Sequence, residues 1–165
     1  MTFIGNGGNR ADAEGFIGNV APGGDAVLTV EGGIAIPMIN DTGATSVKGT
    51  LVCASSTADF AVEICAADEK DTVGAVYNDG VPNGDVMYVV VSGVADVLLE
   101  DNTTATRAYW ARLSETQAGR ADITNPNPPG GTIIEIDNHF AEIGHGLETV
   151  SAGIDQLARC VLHFN

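Results

Sequence analysis

Short runs rich in valine, isoleucine and threonine recur along this chain, and turns separate them at spacings of about 8–12 residues. The longest run covers residues 85–99 and is dominated by valine. Gly93 interrupts this run, and a glycine inside a strand is typical of a bulge or a bend. The pattern therefore predicts one long strand that curls around the corner of a barrel.

The other runs predict further strands. They lie at residues 26–30, 34–39, 50–54, 61–65, 72–77, 109–113, 132–136, 143–150 and 157–164. Strands at this spacing are typical of a small β-barrel or sandwich, so the sequence predicts an all-β fold. Little helix is expected, with one short helix at 103–108. Pro37 has no amide hydrogen to donate, and it therefore predicts that the run 34–39 is an edge strand.

The first 45 residues differ in composition from the rest of the chain. They are rich in glycine, and their apolar residues occur as isolated pairs. Up to about residue 24 there is neither a helical nor a clear strand period, which indicates an extended arm. We therefore divide the chain into 1–45, an arm with edge strands, and 46–165, a β-barrel domain. The candidate contact residues of the arm are Phe3, Ile4, Arg10, Phe16 and Ile17.

The charge of the chain excludes several classes of partner. Seven Lys and Arg residues stand against 22 Asp and Glu residues, and the formal net charge is -15. Because the basic residues are scattered, neither nucleic acid nor an anionic membrane surface is expected as a partner. No apolar stretch approaches the roughly 18–20 residues of a transmembrane helix, and no secretory signal is visible. We expect the chain to be made in the cytoplasm.

The cysteines and histidines do not have the spacing of a metal site. Cys53, Cys65 and Cys160 form no Cys-x-x-Cys motif, so they are interpreted first as three small buried apolar residues. A disulfide or a zinc site is the alternative. His139, His145 and His163 share no helical face, and we interpret them as ordinary surface or edge-strand residues. No metal and no cofactor are therefore expected.

The sequence contains no motif of a catalytic site. Neither a phosphate-binding glycine loop nor a nucleophile elbow is present. The acidic groups, such as 68–71 and 100–101, lie in predicted turns, where solvated carboxylates are the usual finding. We therefore expect no enzyme. A hydrolase with two carboxylates on a barrel is one alternative, and a carbohydrate-binding module is another. Its aromatic platform would consist of Tyr77, Tyr88, Tyr109 and Trp110.

Four segments resemble the small capsid decoration, or cement, proteins of tailed bacteriophages. They are 48–52 (KGTLV), 71–76 (DTVGAV), 84–97 (GDVMYVVVSGVADV) and 144–153 (GHGLETVSAG). In that family a short opening strand, a second strand with a glycine, and a strand–bend–strand unit recur in this order. The resemblance extends over residues 45–165.

The resemblance implies a compact β-barrel, often trimeric, that lies on the outer capsid surface and has no catalytic residues. The expected partners are the major capsid protein and further copies of the chain in a homotrimer. The expected location is the outer surface of the virion, where the protein would bridge neighbouring capsid subunits. The base of a head fibre, or a tail or baseplate component, is the alternative structural role.

Overall fold

The computed structural model describes residues 21–124 and 140–163 of the chain. Within these ranges the fold is all-β without helix, which confirms the predicted fold class. The strands are β1 (Val27–Leu28), β2 (Gly33–Asn40), β3 (Leu51–Ala54), β4 (Ala61–Ile64), β5 (Thr72–Val76), β6 (Val86–Leu98), β7 (Trp110–Leu113), β8 (Ala121–Asp122), β9 (Glu142–Gly146) and β10 (Leu157–Leu162). The predicted strand at 132–136 lies outside the described residues. No helix in the described part of the chain is long and apolar enough to cross a membrane.

Five strands close into a small barrel, which we call the first ring. Its order is β2–β4–β3–β5–β6, and the pairing of β2 with β6 closes it. β2 and β4 are parallel, and the other pairs are antiparallel. One cluster of buried side chains comes from β3, β4, β5, β6 and the loop before β6. Its members are Val52, Val62, Val76, Val81, Met87 and Val89.

The long strand β6 belongs to two sets of strands. Up to Gly93 it pairs with β2, and from Gly93 to Leu98 it pairs with β10. Gly93 has a φ of 82°, a left-handed conformation that glycine adopts without steric cost. A Cβ atom at this position would lie 2.7 Å from the carbonyl oxygen of Gly32, in the turn just before β2. The predicted bend at Gly93 is therefore confirmed.

The second half of β6 opens another set of strands, which we call the second ring. Its order is β6–β10–β9–β7–β8. A parallel bridge between Leu99 and Ala121 returns from β8 to the end of β6. The amide of Glu100 donates to the carbonyl of Ala121 at 2.9 Å beside this bridge. The second ring therefore repeats the first, since in both the first strand runs parallel to the third along the chain, β2 to β4 in the first ring and the end of β6 to β8 in the second.

The repeat extends to the register of single residues. In both rings, one strand pair contains a bulge that places one extra residue opposite its partner strand. The equivalent pairs are Leu51–Ala75, Val52–Gly74 and Cys53–Thr72 in the first ring, and Trp110–His145, Ala111–Gly144 and Arg112–Glu142 in the second. The extra residues are Val73 and Ile143. The described part of the chain is thus a tandem of two rings that share one strand, β6.

Each ring also has a carboxylate at an equivalent position, Asp41 in the first and Glu100 in the second, that accepts two hydroxyl hydrogen bonds. The donors are the Ser and the Thr of a Ser-x-Thr turn, which follow the carboxylate by 14 and 16 residues in both rings. The bonds are Ser55 to Asp41 (2.6 Å) and Thr57 to Asp41 (2.8 Å), and Ser114 to Glu100 (2.7 Å) and Thr116 to Glu100 (2.7 Å). These bonds fix the loop between two strands of each ring.

The two rings are packed together through a common core. The larger cluster of buried residues contains Leu51 and Val90 from the first ring and Leu113 and Ile143 from the second. Backbone hydrogen bonds join the rings as well, because the amide of Leu51 donates to Gly119 at 2.8 Å. The tandem is therefore one packed body.

The interpretation of 34–39 as an edge strand is wrong. β2 pairs with β6 on one side and with β1 and β4 on the other. Pro37 lies between the β1 pairing, which ends at Ala35, and the β4 pairing, which begins at Ile39. Its missing amide hydrogen therefore interrupts neither pairing, and its carbonyl accepts a bond from the Gly23 amide at 2.8 Å. β2 is a strand of the first ring, although the sequence division groups it with the arm.

The short helix predicted at 103–108 is also wrong. Ala105 and Val150 exchange two backbone hydrogen bonds of 3.0 Å each, so the segment is held in a bridge. Ala108 has a φ of 66°, outside the helical region. β9 ends at Gly146, and Val150 forms its bridge with Ala105 outside that strand. The run 143–150 is therefore not one strand.

Cys53 and Cys65 form a disulfide, and their Cα atoms lie 5.0 Å apart. The interpretation of these two residues as free thiols is therefore wrong, although all three cysteines are buried as expected. Cys53 belongs to β3 and Cys65 follows β4, so the antiparallel pairing of these strands brings the two together. Cys160 is free and buried.

We predict that Gly93→Ala destabilises the protein more than Gly84→Ala. Both glycines have a positive φ, 82° and 89°, so alanine costs about 1–2 kcal/mol at either position. Only Gly93 has backbone within contact of the added methyl group, whereas nothing lies within 4 Å at Gly84. We expect a further loss of about 1–3 kcal/mol for Gly93→Ala, measured by urea unfolding. Equal losses would show that β6 does not need the close approach at the bend.

We predict that reduction of the Cys53–Cys65 disulfide lowers the free energy of unfolding by about 3 kcal/mol. The bond closes a loop whose ends are 12 residues apart, and its loss enlarges the unfolded ensemble. Urea unfolding with and without a reductant measures the effect. In a Cys53→Ala/Cys65→Ala variant the reductant should change nothing. The same stability of the oxidised and reduced wild-type chains would contradict the prediction.

Candidate functional site

The predicted arm residues Phe3, Ile4, Arg10, Phe16 and Ile17 lie outside the described residues. The described part of the chain that follows them lies against the first ring. The amide of Gly23 donates to the carbonyl of Pro37 in β2, and a Cβ atom at Gly23 would lie 2.8 Å from the ring of Phe60. Phe60 is 65% exposed. An apolar side chain thus stands at the place where the chain enters the first ring.

The hairpin of β1 and β2 has a group of exposed apolar side chains, which we call the hairpin surface. It consists of Leu28, Val30 and Ile34; the exposed Val47 of the loop after β2 directly precedes Lys48, which pairs with Glu31 of the hairpin turn. Leu28 and Ile34 are directly paired across the hairpin and therefore share one face. Leu28 and Val30 are 66% and 62% exposed. Single exposed apolar residues are common, but a neighbouring group of them is typical of a contact surface.

Ion pairs beside the hairpin surface hold the hairpin on the second half of β6. The amine of Lys48 lies 3.1 Å from Glu31 in the hairpin turn and 3.0 Å from Asp96 of β6. Burial lowers the pKa of Lys48, but the hydrogen bonds and charges of Asp96 and Glu31 outweigh it, so that the pKa is raised. Lys48 also lies over the ring of Tyr77 at 5.5 Å. This lysine therefore stays charged and fixes the hairpin in place.

Several acidic residues within the described ranges accept hydrogen bonds from backbone or side-chain groups. Glu69 accepts from the amide of Ala66 at 2.7 Å, and Asp101 accepts from Arg120 at 2.9 Å. The hydroxyl hydrogen bonds of Ser55 and Thr57 lower the pKa of Asp41. A two-carboxylate hydrolase needs one carboxyl group in an apolar site and one in a wet site. The bonds made by these carboxylates instead hold their own loops.

The aromatic residues do not form the exposed platform of a carbohydrate-binding module. Trp110 and Tyr88 are buried, with 1% and 6% of their surface exposed. Tyr77 and Tyr109 are half-buried and pack against the larger core cluster. The burial of these side chains therefore argues against the platform.

His145 and His163 are partly exposed, as expected for surface histidines, but they also contact each other, which the sequence does not predict. Nδ1 of His145 on β9 lies 2.9 Å from Nε2 of His163, which follows β10. Oε1 of the buried Glu142 lies 3.7 Å from the first nitrogen and 3.6 Å from the second. We call these three residues the His–Glu cluster. His139 lies outside the described residues.

The histidine spacing could not predict this contact, because it depends on a strand pairing. β9 and β10 are antiparallel, and the amide of His163 donates to the carbonyl of Ile143 at 3.0 Å. A second group, Cys53, Cys65 and Glu69, is also close together. Its two sulfur atoms are joined in the disulfide, so they are not available as thiolate ligands.

The solved structures that are similar to this chain include the crystal structure of the head fibre gp8.5 N base of bacteriophage phi29, with 16% sequence identity and a TM-score of 0.49. The match covers 78% of this chain and 92% of that chain. No family model matches the chain, and no curated protein matches it.

We predict that Cys160 does not react with alkylating reagents in the folded protein at neutral pH. Burial, together with the smaller effect of the charges of Glu148 and Asp96, raises the pKa of its thiol to about 12. The thiol therefore stays protonated, and only the thiolate is a good nucleophile. Mass spectrometry after treatment with iodoacetamide should show no label until the protein is unfolded by urea. Rapid labelling of the native chain would contradict the burial of Cys160.

Proposed function

We propose that this chain is a non-enzymatic structural protein of a tailed-phage virion. It binds the outer surface of the capsid and stabilises it by bridging neighbouring capsid subunits. Its partners are the major capsid protein and further copies of itself in a homotrimer, and it is made in the host cytoplasm. The observation that supports this proposal most directly is the hairpin surface, an exposed apolar group on a rigid barrel.

The hairpin surface is suited to adhesion. Stable protein interfaces depend on buried area, with an apolar centre and a polar rim. Leu28, Val30 and Ile34 supply the apolar part, and the ion pairs of Lys48 lie beside them. Because those ion pairs fix the hairpin before binding, little conformational entropy is lost when a partner covers it.

The tandem of rings is suited to bridging. A protein that ties two neighbouring subunits together needs two contact surfaces held at a fixed separation. The two rings have the same strand pairing, share β6 and pack through one core. Each ring can therefore face a different capsid subunit without a flexible linker between them.

The charge and the arm agree with a place on the outside of a capsid. A net charge of -15 keeps the free protein soluble and repels the packaged nucleic acid. Phe3, Ile4, Arg10, Phe16 and Ile17 are proposed to contact the capsid. An extended glycine-rich segment can add main-chain hydrogen bonds to the edge of a partner's sheet.

The base of a head fibre, or a tail or baseplate component, is the alternative structural role. Such a protein needs the same β-rich and glycine-rich composition. A cement protein strengthens the whole shell, whereas a fibre base anchors a fibre and has no effect on capsid stability. The two roles therefore differ in a measurable property.

The proposal is tested with capsids assembled from the major capsid protein of the phage that encodes the chain. Purified chain should bind them saturably in a sedimentation assay and raise their temperature of thermal disruption. Cryo-microscopy should then place the chain between neighbouring capsid subunits. Absence of saturable binding would overturn the proposal. Saturable binding without added capsid stability would favour the fibre base.

We predict that Leu28→Ser/Val30→Ser weakens capsid binding at least about tenfold, as expected for the loss of two central apolar contacts. Both side chains are exposed, so the melting temperature of the free chain should not change. Ile154→Ser is the matched control, because Ile154 is 67% exposed in a loop that is bound to Arg120 through Asp155. If the control weakens binding as much as the double variant, the hairpin surface is not the contact.

A further inference from the structure

The His–Glu cluster has the donor set of a transition-metal site. Its three ligand atoms are two imidazole nitrogens and one carboxylate oxygen, at mutual distances of 2.9, 3.6 and 3.7 Å. Zinc is bound by histidine nitrogen at about 2.0–2.1 Å and by carboxylate oxygen at about 2.0–2.2 Å. Ligands around a tetrahedral ion at these lengths stand about 3.3–3.5 Å apart. The three atoms of the cluster are therefore close to the separations that one bound ion requires.

A β-bulge places Glu142 and His145 on one side of β9. In a regular strand, residues three positions apart point to opposite faces. Here Ala111 pairs with Gly144 and Arg112 pairs with Glu142, so that Ile143 is an extra residue and reverses the alternation. Gly144 has a φ of 149°, and a Cβ atom at this position would collide with the carbonyl oxygen of Val161 on β10. The close approach of β9 and β10 thus depends on glycine at 144.

Burial and exposure divide the cluster into an inner and an outer part. The side chain of Glu142 is 3% exposed, whereas those of His145 and His163 are 43% and 46% exposed. A carboxylate held in a buried place favours a cation beside it. The exposed imidazoles leave the outer side of the cluster open to solvent, so an ion can enter there and keep a water molecule as its fourth ligand.

The first ring shows that the fold does not require these side chains. It has the same bulge and the same glycine, Gly74, at the position of Gly144. Thr72 and Ala75 occupy the positions of Glu142 and His145 in that ring. The backbone therefore forms without a carboxylate or an imidazole, and the ligand set is an addition in the second ring alone.

We propose that Glu142, His145 and His163 bind one divalent transition-metal ion, for which Zn²⁺ is the best fit. The ion joins β9 to the segment after β10 and stabilises the second ring, which has no disulfide corresponding to Cys53–Cys65 of the first. A ligand that binds only the folded chain raises its stability by mass action. The proposal does not depend on the capsid role and holds for either structural alternative.

Titration of the metal-free chain with Zn²⁺ tests the proposal. The full chain is treated with a chelator, dialysed and kept free of reductant, so that the disulfide stays closed. Calorimetry should show saturable uptake of one ion per chain, and the melting temperature should rise with Zn²⁺. Addition of Co²⁺ should produce visible absorption bands, and Zn²⁺ should shift the NMR signals of the His145 and His163 rings. Absence of saturable uptake by the wild-type chain would overturn the proposal.

Ligand variants locate the ion. His145→Ala, His163→Ala and Glu142→Gln should each weaken Zn²⁺ binding at least about tenfold. Glu63→Gln is the matched control for Glu142→Gln, because both remove one negative charge from a strand, and it should bind Zn²⁺ as the wild type does. In the presence of chelator, the two histidine variants should melt at the wild-type temperature, since both rings are exposed. Unchanged affinity in His145→Ala/His163→Ala would overturn the site, and the NMR shifts decide the matter if a variant does not fold.

Discussion

The hydrogen bonding of β6 to both rings is the interaction on which the rest of the structure depends. Its first half closes the first ring against β2, and its second half starts the second ring against β10. The change of partner occurs at Gly93, where the backbone takes a positive φ and passes close to Gly32. No hinge separates the rings, because a single strand serves both. The hairpin surface and the His–Glu cluster are therefore held at a fixed distance from each other.

The tandem uses one backbone for two sets of side chains. Bulges, glycines and hydroxyl–carboxylate bonds recur at equivalent positions, because they determine how the strands close. The side chains next to these positions differ. In the first ring, Cys53 of β3 pairs with Glu63 of the neighbouring strand β4. At the equivalent place in the second ring, Arg112 of β7 pairs with Asp122 of β8. The features that recur in both rings thus determine how the strands close, while the side chains that differ give each ring its own chemical groups.

The sequence predicts local structure better than long-range pairing. The runs of β-branched residues and the bend at Gly93 follow from nearest neighbours, so most strands are correctly predicted. Ring closure by β2 and β6 brings together residues about 50 positions apart along the chain, and neither run alone shows it. Pro37 suggests an edge strand for the same reason. It lacks an amide hydrogen, but it lies between the residues of β2 that pair with β1 and those that pair with β4. In the sequence, the repeat is marked only by a Ser-x-Thr turn that follows a carboxylate at the same spacing in each ring. The histidine contact depends on a bulge in β9, which the spacing of the histidines does not show.

The disulfide makes one half of the molecule sensitive to the redox state of its surroundings. The first ring contains the bond between Cys53 and Cys65, which a reducing medium opens and an oxidising medium closes. At the corresponding place in the second ring, Arg112 and Asp122 form an ion pair, which responds to salt and not to oxidants. The stability of the two halves therefore depends on different properties of the medium.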